Sequence, residues 1–363
     1  MTTDEPFDAI IVGQGLAGTT LAWHLHDAGQ RVLIIDRDEA VTSSKIAAGL
    51  ITPITGQRLT LSPRYDTYFP AAQDFYVRIA ERTGRRFFHE RTTVRLLATP
   101  TEASAWSQRR LQKDFQAHLV APQPSPLIDP DIASAALGGF AMQGAQLDVA
   151  AYLDASKAVL PFTAMSLDWQ RDVTLGTDEI SVKGLRTRRL ISCEGYAATR
   201  NPHFQWVPFR AAKGDILTVL FHAAMPPLSL HRGVWIAPTA DADVFRVGAT
   251  YDWDTLDQVP SAAARDEIER KLQECVRVPY TVLDHQAAVR PIIHESNPRV
   301  GVHPAHARLG YFNGLGSKGS LLAPWCANAF AKFLVHGTPL PVEVNVARFW
   351  RDKSPLLKAE FSG

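Results

Sequence analysis

Apolar positions along this chain change their period several times, and each change predicts an element. Residues 9–12 are apolar without a break, which suits a parallel strand buried on both faces. A helix-like stretch follows, and 31–35 read as a second strand with Asp36 at its end. Between 63 and 138 the texture shifts. Tyr65, Tyr68, Phe69, Phe75 and Tyr76 surround a helix predicted over 71–82, 92–98 reads as a strand, and 104–119 as an amphipathic helix. A proline-rich loop occupies 122–130, residues 145–149 lead into a helix through 159, and short strands lead to the apolar run 190–193 and Gly195. Alternation up to Leu220 and at 234–238 and 244–249, with Pro226 and Pro227 as turn residues, predicts an antiparallel sheet. A helix with one charged face covers 262–275, and the stretch 311–324 runs into a late helix that ends near 335.

The glycines after the first strand have a spacing with a physical reason. Gly13 allows a tight turn, Gly15 lets the backbone approach a pyrophosphate, and Gly18 lets the following helix pack closely on the sheet. Leu16 and Ala17 lie in the first turn of that helix, whose free N–H groups and positive dipole end face the phosphates. Asp36, with Arg37 beside it, comes about twenty residues on, where a carboxylate binds a ribose hydroxyl. This unit predicts dinucleotide binding without deciding between FAD and NAD. Farther on, Ser43, Ser44, Ala47, Ala48 and Gly49 are small enough for a backbone to lie against a flat ligand, and the serines can cap a helix or bind phosphate oxygens. Gly195 ends an apolar strand as Gly13 does, as a second strand end near a cofactor would. A second GxGxxG, made of Gly314, Leu315, Gly316, Ser317, Lys318 and Gly319, also stands between a strand and a helix. No acid follows it on a second strand, since the chain runs into Pro339, Leu340 and Pro341. A second independent nucleotide fold is therefore not expected.

Composition narrows the classes. At 363 residues, two domains or one large interleaved pair is expected. Lys and Arg number 38 against 37 Asp and Glu, so no general attraction to nucleic acid or anionic membrane arises. Cys193, Cys275 and Cys326 are far apart, without metal-type spacing, which points to reduced thiols in a cytoplasmic protein; Cys193 and Cys326 read as packing residues. No apolar run reaches the length of a membrane helix, and acids precede the first apolar run, unlike a signal peptide. The twelve histidines show no metal spacing, and no Ser/His/Asp order argues for hydrolysis, so no metal is expected.

Taken together, the motifs make the chain resemble the FAD-dependent oxidoreductases of the D-amino acid oxidase and glycine oxidase class. Four segments in order carry the resemblance: the Gly13 turn with Asp36, the stretch 43–53, the stretch from Arg290 and Pro291 to Pro298 and Gly301, and 314–324. The third has the length of the family's RP-x3-D-x2-P-x2-G pattern, with Glu295 where that pattern has Asp. The resemblance implies that Gly13, Gly15 and Gly18 hold the FAD pyrophosphate, that Asp36 binds the adenosine ribose, and that Ala47, Ala48 and Gly49 run beside the ribityl chain and flavin ring. It implies that the loop 314–319 presents N–H groups and a helix dipole to the flavin N1–C2=O edge. Arg290 stands where the family places the arginine that fixes the substrate carboxylate through its planar fork. The residue-level alternative is a structural ion pair, for instance with Glu295. Glycine and D-amino acid oxidases usually carry an arginine near Ser317, where this chain has Lys318. That form is closer to the oxidase domain of the bifunctional enzyme that trims carboxymethylaminomethyl groups from tRNA wobble uridine. This chain lacks the methyltransferase half and a basic excess, so tRNA is the minority reading. Lys318 is open between supplying charge to substrate or flavin and being solvated. Tyr251, His231 and Trp235 are open between positioning substrate and serving as core or rim residues.

The expectation is an α/β fold in which a Rossmann-like FAD-binding domain, 1–60, 140–205 and 300–363, is interleaved with a mixed or antiparallel-sheet substrate domain, 61–139 and 206–299. It would oxidise a C–N bond in a small amine or amino acid and pass electrons to oxygen or another acceptor. One rival is a flavin- or NAD(P)H-dependent reductase or hydroxylase on a non-amine substrate. The other is a non-catalytic nucleotide-binding protein, which has no use for Arg290.

Overall fold

The computed structural model describes residues 5–350; 1–4 and 351–363, the ends of the expected segments 1–60 and 300–363, lie outside the described residues. The chain divides into two compact units, 1–45, 150–212 and 289–363, and 46–149 and 213–288.

In the first unit a six-stranded sheet runs in the order Phe162–Ala164, Val32–Asp36, Ala9–Val12, Leu190–Ser192, His306–Asn313, Arg299–His303. The first five strands are parallel and the last is an antiparallel edge. Ile10 sits between Leu33 and Leu190, and all of 9–12 is buried, as an unbroken apolar run requires. Ile10, Leu33, Ile35, Leu190 and Leu309 share one core with Phe204 and Tyr311, each large apolar side chain stabilising by about 1.5–3 kcal/mol on burial. Helix Leu16–Asp27 is fastened by Trp23, fully buried, whose Nε1 donates to Ser156 Oγ at 2.9 Å. A small antiparallel meander, Val173–Leu175, Ile180–Val182 and Leu185–Thr187, completes the unit's strands.

The second unit holds a seven-stranded sheet in the order Tyr280–Arg290, Ala212–Phe221, Val244–Gly248, Val234–Pro238, Ser229–Arg232, Thr93–Leu96, Gly139–Met142. The alternating strands of 212–248 pair antiparallel, but Ser229–Arg232 runs parallel to Thr93–Leu96, which makes the sheet mixed. Residues 46–60 and 140–149 fall here rather than in the first unit, because Leu50–Ile51 pairs with Ala145–Leu147, which also pairs with Phe88–Glu90. Two helices depart from the sequence pattern. Helix Tyr65–Thr83 starts earlier than 71 and carries Pro70 inside it, because Tyr65 and Tyr68 extend its buried stripe. The helix expected over 104–119 begins at Pro100 and is broken into Pro100–Arg109 and Lys113–Gln116. Thr99 sets the start by accepting the Glu102 N–H at 3.2 Å, with proline in the first turn, where a missing N–H costs nothing.

Two histidines are held neutral. Burial and the nearby Arg95 guanidinium lower the pKa of His231 to about 3. Burial, His306 and His203 lower that of His303 to about 4. Unfolded histidine takes its proton near pH 6.5, so between that value and the folded values the unfolded chain binds more protons. This stability is complete above about pH 6.5 and is lost as pH falls through the window. The melting temperature is therefore expected to fall from pH 7 to pH 5, less steeply in a His231→Gln, His303→Gln double variant. Equal slopes in the two proteins would exclude the histidines as the cause.

Candidate active site

Helix Leu16–Asp27 begins directly after the first strand, with Gly15 as its N-cap and no acid in its first turn. Its first N–H groups have no partner within the helix, and its positive end is not neutralised from within that turn. Gly13 has φ of 110°, and a Cβ there would stand 2.4 Å from the Cys193 carbonyl oxygen. A Cβ on Gly18 would stand 1.9 Å from the Gly13 oxygen. These two glycines are required by backbone packing. Gly15 is different: its Cβ would meet only Ser44 Oγ, at 3.0 Å. Ser44 Oγ accepts the Leu16 N–H at 3.2 Å, so this serine caps the helix, the first of the two roles open to it. Leu16, Ala17 and Gly18 are buried, and Ser43 is half-buried.

Asp36 ends its strand with each carboxylate oxygen accepting one backbone N–H, Oδ2 from Gln14 at 2.7 Å and Oδ1 from Asp38 at 2.6 Å. The carboxylate is thereby fixed beside the glycine turn, with further lone pairs for a hydroxyl donor. Arg37 is exposed and stands 3.4 Å from Glu39. Asp38, the next acid, is held by Lys157 at 2.5 Å, which keeps its pKa below the usual carboxylate value. These donors and acceptors suit a pyrophosphate with an adjoining ribose, and Gly13, Gly15, Gly18 and Asp36 are the residues that would hold them.

The second glycine turn lies against the first. A Cβ on Gly319 would stand 2.9 Å from Leu16 Cδ1, so the beginnings of helices Leu16–Asp27 and Gly319–His336 adjoin. Helix Gly319–His336 also lacks an acid in its first turn, and its N-cap is Lys318, half-buried, with its pKa lowered by that burial. A cation is unfavourable at a helix N-terminus. Lys318 and the helix end together thus form a concentrated positive field. Gly314 and Leu315 are buried, Gly316 is half-buried with φ of 56°, and Ser317 is exposed.

Asn313, buried at the end of its strand, joins the two strand-end glycines. Its Oδ1 accepts the Gly314 N–H at 2.8 Å and its Nδ2 donates to the Gly195 carbonyl at 2.8 Å. Nothing in the glycine spacing named Asn313, although a polar residue closing an apolar strand just before Gly314 is a local signal. Glu194 beside Gly195 has its pKa raised by burial, an effect opposed by donors on Ser192, Trp169 and Asn201. Cys193 is buried with its thiol pushed far up by that burial, which suits packing and not nucleophilic attack.

Arg290 ends its strand and is half-buried. Two residues later, Ile292 packs its Cγ1 3.6 Å from where a Gly316 Cβ would be, and Ile293 Cδ1 comes within 2.6 Å of the same position at Gly314. The 290–293 turn is thus seated on the second glycine loop. Glu295 directs its carboxylate to Arg299 at 2.8 Å and Arg348 at 3.1 Å.

Ala47, Ala48, Gly49 and Tyr251 belong to the second unit. The Ala47 carbonyl accepts from Arg246 Nη1 at 2.9 Å, the Ala48 carbonyl from Gln146 Nε2 at 3.0 Å, and the Gly49 carbonyl from the Leu147 N–H at 3.0 Å. A Cβ on Gly49 would collide with the Leu147 oxygen at 1.8 Å, so glycine is required there. Arg246 and Gln146 hold this segment, and no local sequence signal marks them. Tyr251 is 51% exposed and stacks on Trp253, with ring centroids 6.0 Å apart. His231 Nε2 lies 3.4 Å from Arg95 Nη1, and Trp235 packs on Gly248. Among the described residues, no group of three or more His, Cys, Asp or Glu is placed to hold a metal, and no helix is long and apolar enough to cross a membrane.

Comparison with known proteins bears on this geometry. The chain is 45% identical over 49 residues to the Bacillus subtilis (strain 168) protein YurR, described as an uncharacterized oxidoreductase; that match spans 14% of this chain and 13% of the relative. Among solved structures it is similar to glycine oxidase from Geobacillus kaustophilus, with TM-score 0.75 and 19% identity over 95% of this chain and 98% of that one. It is also similar to iminodiacetate oxidase from Chelativorans sp. BNC1, with TM-score 0.71 and 19% identity over 94% and 98% of the two chains. At these identities the likeness is one of fold. The family profile described as FAD dependent oxidoreductase matches residues 8–333, a span that contains both glycine turns and Arg290. The chain accordingly belongs to the FAD-dependent oxidoreductases of the D-amino acid oxidase family, and FAD is its cofactor.

Proposed function

We propose that this protein oxidises a C–N bond in a small amine or amino acid that carries a carboxylate. The observation that carries this reading is the packing of the Arg290 turn, through Ile292, on the glycine loop that opens helix Gly319–His336. The turn that carries the candidate carboxylate clamp thus adjoins the loop opening helix Gly319–His336, whose first turn holds no acid. Bound FAD supplies the two-electron acceptor for the hydride that leaves the substrate α-carbon. Arg290 grips the carboxylate through two parallel N–H···O bonds and so fixes which face and which C–H of the substrate is presented. Lys318 and the N–H groups of the following turn would hold the ring end of FAD in a preorganised positive field, which favours an electron acceptor that gains negative charge. Gly13, Gly15 and Gly18 bind the pyrophosphate, with Asp36 on the ribose. Within the second unit, Ala47, Ala48 and Gly49, fastened by Arg246, Gln146 and Leu147, form a rigid flat backbone of the kind that suits a ribityl chain and ring. The imine product hydrolyses in water.

The test is anaerobic mixing of the yellow holoprotein with a panel of small amines and amino acids, followed by readmission of air. Bleaching by a carboxylate-bearing amine, with ammonia or a primary amine released, is the expected result. Bleaching by NAD(P)H and by no amine would place the protein with the reductases instead. Return of colour on aeration identifies oxygen as an acceptor.

A further inference from the structure

The parallel strands of the first unit end at the glycine turns, and at their other end strand His306–Asn313 begins beside a cavity of about 480 Å³. Leu175, Ile180, Arg189, His306, Arg308 and Leu309 line it. The basic residues around this end of the sheet are mostly matched. Arg186 lies 2.7 Å from Glu179, Arg188 lies 3.0 Å from Asp8, and Lys183 lies 3.2 Å from Asp172. Arg308 donates its Nε to the Thr177 carbonyl at 3.0 Å and approaches exposed Asp178 at 3.7 Å. Arg189 is the exception. It is half-buried, and among the described residues its guanidinium has neither an ion pair nor a hydrogen bond. No carboxylate lines the cavity, and burial together with Arg308 and Arg188 lowers the Arg189 pKa, opposed by Asp8. A guanidinium half removed from water without an acceptor gains from an oxyanion placed across its planar fork.

We propose that this cavity binds a small organic anion with at least two negative charges, a phosphate ester or a polycarboxylate. Arg189 takes one oxyanion group in a fork-to-fork pair, Arg308 supplies the second cation, and Leu175, exposed at the rim, lies against the ligand's carbon frame. The site is separate from the glycine turns and from Arg290, so it stands or falls independently of the proposed oxidation.

The test is calorimetric titration of the FAD-loaded protein, whose pyrophosphate site is already filled, with inorganic pyrophosphate and separately with citrate. Saturable binding of one anion per chain is expected, with Kd below about 1 mM. It should weaken by about ten- to a hundredfold in Arg189→Gln, the worth of a hydrogen bond to a charged group. Arg189→Lys, which keeps the charge but not the fork, should fall between. Both variants should keep flavin colour and melting temperature. Binding of pyrophosphate alone identifies phosphate as the group recognised, and binding of citrate alone identifies carboxylate. Failure of both to saturate by about 10 mM, or equal affinity in Arg189→Gln, overturns the proposal.

Discussion

Gly15→Val is expected to give a folded protein that has lost its yellow colour. The three glycines of the first turn are not equivalent. A side chain at Gly13 or Gly18 drives into backbone, the Cys193 carbonyl at 2.4 Å or the Gly13 carbonyl at 1.9 Å, and neither can retreat without moving a central strand. Variants there lose FAD because they lose the fold, which tests nothing about the cofactor. At Gly15 the nearest atom is Ser44 Oγ at 3.0 Å, the end of a side chain, and the backbone has no positive φ to forbid valine. The branched side chain then occupies the path by which a pyrophosphate reaches the helix N–H groups. Overpacking of about 1–3 kcal/mol weakens FAD roughly ten- to a hundredfold, and lost N–H contacts add to this. Flavin absorbance per chain after dialysis measures occupancy, and circular dichroism confirms the fold. Full occupancy in a folded Gly15→Val protein would mean that the pyrophosphate lies elsewhere.

The same contrast explains what could be read in the sequence. Gly13 and Gly49 were legible because each takes a positive φ, and Gly18 because its Cβ would meet the carbonyl of Gly13 only five residues earlier, at 1.9 Å. The buried strands at 9–12 and 32–36 were legible because an unbroken apolar run beside such a turn has few other outcomes. Arg246 and Gln146 were not legible. Their work on the Ala47 and Ala48 carbonyls exists only once distant strands are paired, and a polar residue in an alternating strand ordinarily means solvent. The membership of 46–60 escaped for the same reason, since Leu50↔Gln146 is a pairing that no window of sequence contains. Arg189 shows the reverse. Its neighbours Arg186 and Arg188 look identical to it in sequence, and only their ion pairs with Glu179 and Asp8 make it the unmatched one.

Arg290→Ala is expected to keep FAD and lose turnover of carboxylate-bearing amines. The turn it belongs to is held by backbone, with the Arg290 carbonyl accepting the Ile292 N–H at 2.9 Å and the Ile292 carbonyl accepting the Arg210 N–H at 2.7 Å. Truncating the side chain therefore leaves Ile292 on the glycine loop. The Glu295 carboxylate engages Arg299 and Arg348. A charged pair lost from an enclosed site costs about 2–5 kcal/mol, roughly 30- to several thousandfold in kcat/KM. Arg290→Lys retains charge without the fork, so it should recover only part of the loss, as a shift in KM more than in kcat. An amine without a carboxylate is the internal control. If Arg290 orients substrate through that group, the control amine is oxidised equally slowly by wild type and variant. A variant that loses both substrates in proportion would show that Arg290 supports the loop and binds no carboxylate. Unchanged kinetics on carboxylate substrates would remove it from the site altogether.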